Sequence, residues 1–281
     1  MKKVAIITDS SAYLPDDIIK ELGIHVVPLT LHWGEDTYRD GEDIRAEEFY
    51  ARLAESDTIP TTSQVTVSEF SKLFTTLIEE DCAVLALLIS SGISGTVESA
   101  LQAQKDFPDA PLAVMDSRLV SMALGWMVMA VARAARDGAS LAECKALAEA
   151  IYPKIGVYFT VDTLKYLNKG GRINTAKRLM GSALNIKPIM EIREGKIELV
   201  ESVRSRKKAL GRMLEMVERD IAGCESVRIS TFHAAAEQDN QTLMAEAVSR
   251  FKPVETLTTF VSPVIGAHTG PGTVSIAYQM D

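Results

Sequence analysis

The sequence predicts an α/β protein of two domains, the first built on a mostly parallel sheet and the second on a mixed or antiparallel sheet with helices. Three observations carry this. Ala83–Ile89 is an unbroken apolar run, the pattern of a central strand covered on both faces. In the first half, short apolar runs alternate with helical periodicity, and polar loops follow the runs. In the second half, two strand patterns are joined by Arg193-Glu194-Gly195, a hairpin signal. A chain of 281 residues is long for one core and comfortable for two, and the pattern changes near Lys154. The expected domains are 1–153 and 154–281.

In chain order, Val4–Ile7 reads as a buried strand opening into Thr8-Asp9-Ser10-Ser11, and Pro15 with Asp16 and Asp17 suits a helix start. Ile24–Leu31 reads as a strand and Trp33–Gly41 as a polar turn. Helices are expected near Ala46–Ala54 and Ser68–Ile78. After the central run come the loop Ser90–Thr96, a helix over Val97–Lys105, a strand near Ala113–Met115, and helices near Leu119–Arg136 and Leu141–Ala150. The second half gives a strand at Gly156–Val161, a helical turn at Leu164–Leu167 and the hairpin strands Ile186–Ile192 and Lys196–Val203. Helices follow near Lys207–Ile221 and Asp239–Arg250, with strands near Val227–Thr231, Val254–Phe260 and Val274–Tyr278.

Composition narrows the function. The net charge is -8, and the longest basic cluster, Arg204, Arg206, Lys207 and Lys208, is short, which argues against nucleic acid as a partner. Cys82, Cys144 and Cys224 are far apart, with no CxxC or Cys/His metal spacing, and are expected to be reduced thiols. The apolar run after Lys2-Lys3 is too short for a secretory signal, and Leu119–Ala132 is too short to span a bilayer. A soluble cytoplasmic protein is expected.

Four segments could carry chemistry. Ser90–Thr96, SSGISGT, joins a buried strand to a helix; its glycines permit tight turns, and the N–H groups at the helix start attract an anion. Read structurally, it is a glycine turn with a Ser or Thr cap. Thr61-Thr62-Ser63-Gln64 offers three hydroxyls and an amide, or a cap for the next helix. Val264–Gly272 sets His268 in a constrained Gly/Pro loop before the last strand, unlike His25 and His32 in or beside an apolar strand. Arg172 and Arg204 lie in basic loops that suit phosphate or a solvated rim equally. No HExxH and no GxSxG nucleophile elbow occurs.

Together these segments resemble the DegV family over nearly the whole length. The resemblance rests on Thr8-Asp9-Ser10-Ser11-Ala12 with Leu14-Pro15, Asp40-Gly41, Thr62-Ser63-Gln64, Ser94-Gly95-Thr96 and Asp116-Ser117-Arg118. It continues through Lys169-Gly170-Gly171-Arg172-Ile173, Lys187-Pro188, Arg204-Ser205-Arg206-Lys207 and His268-Thr269-Gly270-Pro271-Gly272. Val65 and Val97 depart from the family pattern, which has Pro and an aromatic there.

The resemblance implies a DegV-like pair of domains with a ligand cleft between them and a long-chain fatty acid in an apolar tunnel. It implies Thr62, Ser94 and His268 at the carboxylate, with Ser63, Gly95, Thr96, Gly266 and Thr269 as the supporting loops. It implies no cofactor other than the bound fatty acid. The implied partner is a separate ATP-dependent fatty acid kinase that makes the acyl phosphate, with Arg204, and less directly Arg172, near the phosphate or the kinase surface. It leaves room for transient contact with a membrane and a role in phospholipid metabolism. Met122, Met127 and Met129 either border the acyl tail or are ordinary core.

The physics suits a fatty acid. Burying about fourteen methylenes at roughly 0.8 kcal/mol each gives on the order of 10 kcal/mol before association costs. Neutral donors then suffice for the carboxylate and leave an oxygen free as a nucleophile towards ATP. Two other readings compete: a serine hydrolase or acyltransferase using Ser94 with His268, and a subunit of a dihydroxyacetone-kinase-like system.

Overall fold

The computed structural model describes residues 2–180 and 186–281. The first half folds as β1 (Val4–Asp9), α1 (Asp16–Leu22), β2 (His25–Val27), β3 (Thr30–Trp33), β4 (Asp36–Arg39), α2 (Ala46–Glu55), β5 (Thr61–Ser63), α3 (Val67–Glu79), β6 (Ala83–Leu88), α4 (Thr96–Gln104), β7 (Leu112–Asp116), α5 (Ser121–Arg136) and α6 (Leu141–Ile151). The second half gives β8 (Ile155–Thr160), α7 (Lys165–Lys169), β9 (Lys187–Arg193), β10 (Lys196–Val203), α8 (Arg206–Asp220), β11 (Val227–His233), α9 (Glu237–Phe251), β12 (Glu255–Phe260), α10 (Pro263–Thr269) and β13 (Val274–Met280).

The predicted α/β class holds. β2-β1-β6-β7 is a parallel sheet, and every residue of β1 and β6 is buried, as an apolar run covered on both faces requires. β10-β9-β8-β13-β11-β12 is a mixed sheet, antiparallel except for the β11/β12 pair. Strand membership passes from one sheet to the other between Asp116 and Ile155, yet one apolar cluster runs from Val4 to Ala277.

The element joining the two is α5. It packs on β1 and β6 of the parallel sheet and on β8 and β13 of the mixed sheet. A helix so enclosed must be apolar around its circumference, and Met122–Met129 is buried without interruption. Trp126 is fully buried, and its Nε1–H donates to Ser230 Oγ of β11 at 3.0 Å. At the end of α5, Arg133 makes a two-pronged pair with Glu255 at 2.6 and 2.9 Å. Of the two readings for Met122, Met127 and Met129, core packing is the one realised; none borders the cavity described below.

Three segments depart from the sequence reading. Ile24–Leu31 is not one strand: the chain breaks at Pro28-Leu29, so β2 joins the parallel sheet while β3 joins a small antiparallel sheet, β4-β3-β5. The supposed turn Trp33–Gly41 contains β4. Thr61–Ser63 is β5 rather than a loop or cap, and the cap of α3 is Thr66, in a reciprocal box with Glu69. No described helix is long and apolar enough to cross a membrane, and the three cysteines are free thiols.

Candidate functional site

Loops at the carboxyl ends of the parallel strands face the mixed sheet, the usual place for a ligand in an open α/β sheet. Asp9, at the end of β1, fixes this edge. Its buried carboxylate accepts from Ser11 N at 3.0 Å, Ser11 Oγ at 2.6 Å and Ile89 N at 2.7 Å, tying the end of β1 to the loop after β6. Burial raises its pKa against the pull of these bonds. From the other half, the β9–β10 turn docks on the same loop: Ser90 Oγ donates to Gly195 O at 2.7 Å. A side chain at Gly195, whose φ is +74°, would put its Cβ 2.4 Å from Ser90 Oγ.

Between these elements lies a cavity of about 410 Å³, within the usual range of roughly 300–1,000 Å³ for small-molecule sites. Its walls are mostly apolar: Leu29, Ile89, Val157, Phe159, Phe232 and Val264 among them. Thr62, Ser63, Ser94, Gly95, Arg172, His268 and Thr269 are among the residues that contribute polar surface, with Gln64, Ser121, Thr273 and Ser275 adding to it.

His268 is on a helix, not in a loop. Pro263 presets the first turn of α10, and Gly270 at φ +76° ends it. Two contacts from the first half pin the start of α10: Asp40 Oδ1 accepts from Val264 N at 3.3 Å, and Tyr50 Oη donates to Val261 O at 3.0 Å. Ser10 Oγ donates to the other oxygen of Asp40 at 2.7 Å. The Asp40-Gly41 and Thr8–Ser11 segments therefore act at a distance, by holding the helix that carries His268.

His268 Nε2 lies 2.7 Å from Thr62 Oγ1, whereas Nδ1 is buried with no hydrogen-bond partner among the described residues. A buried N–H without an acceptor costs more than a bare ring nitrogen. The network therefore assigns the proton to Nε2, which donates to Thr62 and leaves the Thr62 O–H free to donate into the cavity. Gly170 makes this ring position available: a Cβ there would sit 2.1 Å from His268 Nδ1.

Ser94 stands apart from this pair. Its Oγ is 2.9 Å from Thr96 Oγ1, at the start of α4, which has no side-chain cap. Arg172 donates to Ile93 O at 3.2 and 3.1 Å and to Gly170 O at 2.6 Å, and it faces no carboxylate among the described residues. Of the supporting residues, Ser63 Oγ is taken up by His32 Nε2 at 2.7 Å, and Thr269 Oγ1 donates to Ile265 O at 3.2 Å. Gly266 lies outside the cavity wall, where a Cβ would meet Tyr50 Oη at 2.3 Å. Arg204 is exposed just before α8, away from the cavity wall, and makes no ion pair among the described residues.

Burial, with the Arg172 charge second, lowers the pKa of His268 from 6.5 to about 4. The ring is neutral at physiological pH. The unfolded chain binds this proton near 6.5 and the folded chain only near 4, so stability present above pH 6.5 is lost as pH falls to about 4. That amounts to about 3 kcal/mol at most. Asp40 acts in the opposite sense. Burial raises its pKa from 3.8 to about 6, so the folded chain takes up this proton first and gains stability as pH falls from about 6 to 3.8. The variant His268→Asn should therefore lose less thermal stability than the parent between pH 6.5 and 4. Identical pH profiles of Tm would show that His268 titrates normally in the fold.

Comparison with known proteins agrees with this architecture. The DegV family model, described as an uncharacterised protein family, matches residues 3–281. A DegV domain-containing protein of Listeria innocua is 34% identical over 280 residues, 99% of each chain. The structure of a DegV family protein from Thermus thermophilus, described by its fatty acid binding, superposes with a TM-score of 0.94 at 33% identity, over 99% of this chain and 100% of that one. DegV from Bacillus subtilis, described as a fatty acid binding protein, superposes with a TM-score of 0.93 at 30% identity, over 100% of both chains.

Proposed function

The chain belongs to the DegV family, and from that premise we propose that it carries one long-chain fatty acid and presents the carboxylate to a kinase for acyl-phosphate formation. The observation that carries this reading is the composition of the cavity. An apolar hollow has at its polar wall a neutral His268–Thr62 pair, the Ser94 hydroxyl and an Arg172 cation without an acidic partner among the described residues. A fatty acid supplies what each part lacks: methylenes for the walls, acceptor oxygens for two hydroxyls and a counter-charge for Arg172.

Arg172 is held by two carbonyl oxygens and acts on the carboxylate through its field rather than as a fork. A bidentate fork would engage both oxygens; hydroxyl donors leave one able to attack the γ-phosphorus of ATP. Arg204, exposed and without an ion pair among the described residues, is the residue we place at the kinase surface, ahead of Arg172.

Ester hydrolysis by Ser94 and His268 finds less support. His268 bonds Thr62 instead of Ser94, and its Nδ1 has no orienting acceptor among the described residues. A ring that titrates near 4 is also a weak general base at neutral pH. A small polyol, the ligand of a dihydroxyacetone-kinase-like subunit, would leave the apolar walls without a purpose.

Lipid-loaded protein mixed with ATP and a bacterial fatty acid kinase should yield acyl phosphate, trapped as the hydroxamate by hydroxylamine. Hydroxamate no higher than with kinase and free fatty acid alone would refute presentation, and release of nitrophenol from a nitrophenyl ester would restore the hydrolase.

A further inference from the structure

Tyr13 is part of the main apolar cluster and also lines the cavity, away from the head-group residues. It is a bulky residue at φ 58°, ψ 27°, the left-handed conformation that such side chains rarely adopt. Its hydroxyl is buried beside Ser262, close to Asp40. A bulky residue in this conformation costs stability and persists only where its surroundings hold it, so the ring has a reason to be there. The ring meets Phe232 edge-on, with centroids 5.6 Å apart and planes at 69°.

The requirement lies in what Tyr13 separates. On one side is the apolar cavity; on the other is a second hollow of about 700 Å³, bordered by α1, α2 and the end of β12 and carrying Asp16, Asp17, Glu42 and Glu47. Among the described residues, Tyr13 alone lines both. The apolar cavity runs across the mixed sheet from Ile192 and Ile197 on β9 and β10 to Phe232 on β11. From β9 to β11 is three strand spacings, about 14 Å. Arg172 and Ser94 share a surface hollow with Ile197, at the first end. Tyr13 and Phe232 stand at the other.

We propose that Tyr13 is the residue that sets acyl chain length: its ring, braced by Phe232, is the wall that stops the tail and keeps it out of the acidic hollow beyond. The inference rests on the fatty-acid reading of the cavity. On that reading, a chain too long for the cavity must buckle or push aside a ring held by packing, while a chain that stops at the ring buries every methylene. The tail end carries no hydrogen-bonding group, so the ring, rather than its hydroxyl, does the selecting.

The test is a competition. The purified parent and the variants Tyr13→Phe, Tyr13→Leu and Tyr13→Ala are each offered an equimolar mixture of saturated acids of increasing length, and the retained lipid is extracted and identified by mass spectrometry. Tyr13→Phe should retain the parent's profile. Tyr13→Leu and Tyr13→Ala should shift towards longer acids, with two further buried methylenes favouring the longer acid by roughly tenfold. The leucine variant keeps an apolar plug and serves if the alanine variant does not fold. Leucine and alanine profiles identical to the parent's, or a shift already present in the phenylalanine variant, would overturn the assignment. A parent protein that retains no fatty acid would instead overturn the carrier reading on which it rests.

Discussion

Replacing Thr62 by valine together with Ser94 by alanine is expected to weaken fatty-acid binding by about a hundredfold or more without unfolding the protein. Each hydroxyl is assigned one hydrogen bond to the carboxylate, and such bonds to a charged group contribute roughly 1.5–3 kcal/mol. The single variants should each lose about tenfold or more, since about 1.4 kcal/mol is a factor of ten. The valine change does further harm, because His268 Nε2–H loses its acceptor in a buried setting. Ser94 lies outside that pair, so its alanine variant reports the carboxylate bond more cleanly. Neither change touches the apolar walls. Loss of affinity should therefore be large but incomplete, with the tail still contributing on the order of 10 kcal/mol before association costs. Displacement of a fluorescent fatty acid gives the constants. A double variant that binds as tightly as the parent would remove Thr62 and Ser94 from the head-group site.

Replacing Trp126 by alanine is expected to cost about 3–5 kcal/mol of stability from lost packing, and about 1 kcal/mol more from the orphaned Ser230 hydroxyl. This is the largest expected effect of a single change away from the cavity. Trp126 sits on the helix that both sheets share and donates across the junction to Ser230. The whole molecule should feel the loss, as one cooperative denaturant transition moved to lower concentration. Trp126→Phe, which keeps most of the volume, should lose less than half as much. Two separated transitions in the alanine variant, one near the parental midpoint, would contradict a core continuous across the two halves.

Much of the fold was legible because the strongest patterns are also the most buried. The Ala83–Leu88 strand, the Arg193-Glu194-Gly195 hairpin and the long apolar helix ending at Arg136 all form where expected. The errors fall where periodicity is too short to read. Within Ile24–Leu31 the one local mark of the break is Pro28, which cannot donate to a ladder; that β2 and β3 then join different sheets is a relation to distant strands that the run itself does not carry. For α10, Ser262-Pro263, a polar residue before proline at the first helical position, is a start signal that the reading of Val264–Gly272 as a Gly/Pro loop left out.

The site divides in the same way. Residues that touch the cavity, Thr62, Ser94 and His268, stand out as polar groups in loop-like sequence. Those that position them do not. Asp40 holds the start of α10 from 224 residues away in the chain. Gly170 serves by lacking a side chain beside His268 Nδ1, and Tyr13 serves by its shape alone. A backbone acceptor contact, a missing Cβ and a wall between two hollows leave no local pattern, because each is a relation between distant segments.

The central claim is that the cavity is the seat of a fatty acid, and the most direct measurement is mass spectrometry of an organic extract of the purified protein. The account predicts one long-chain fatty acid per chain, released by denaturation and lowered in amount in the Thr62→Val/Ser94→Ala variant. An extract empty of fatty acid, and still empty after incubation with oleate and palmitate, would contradict it.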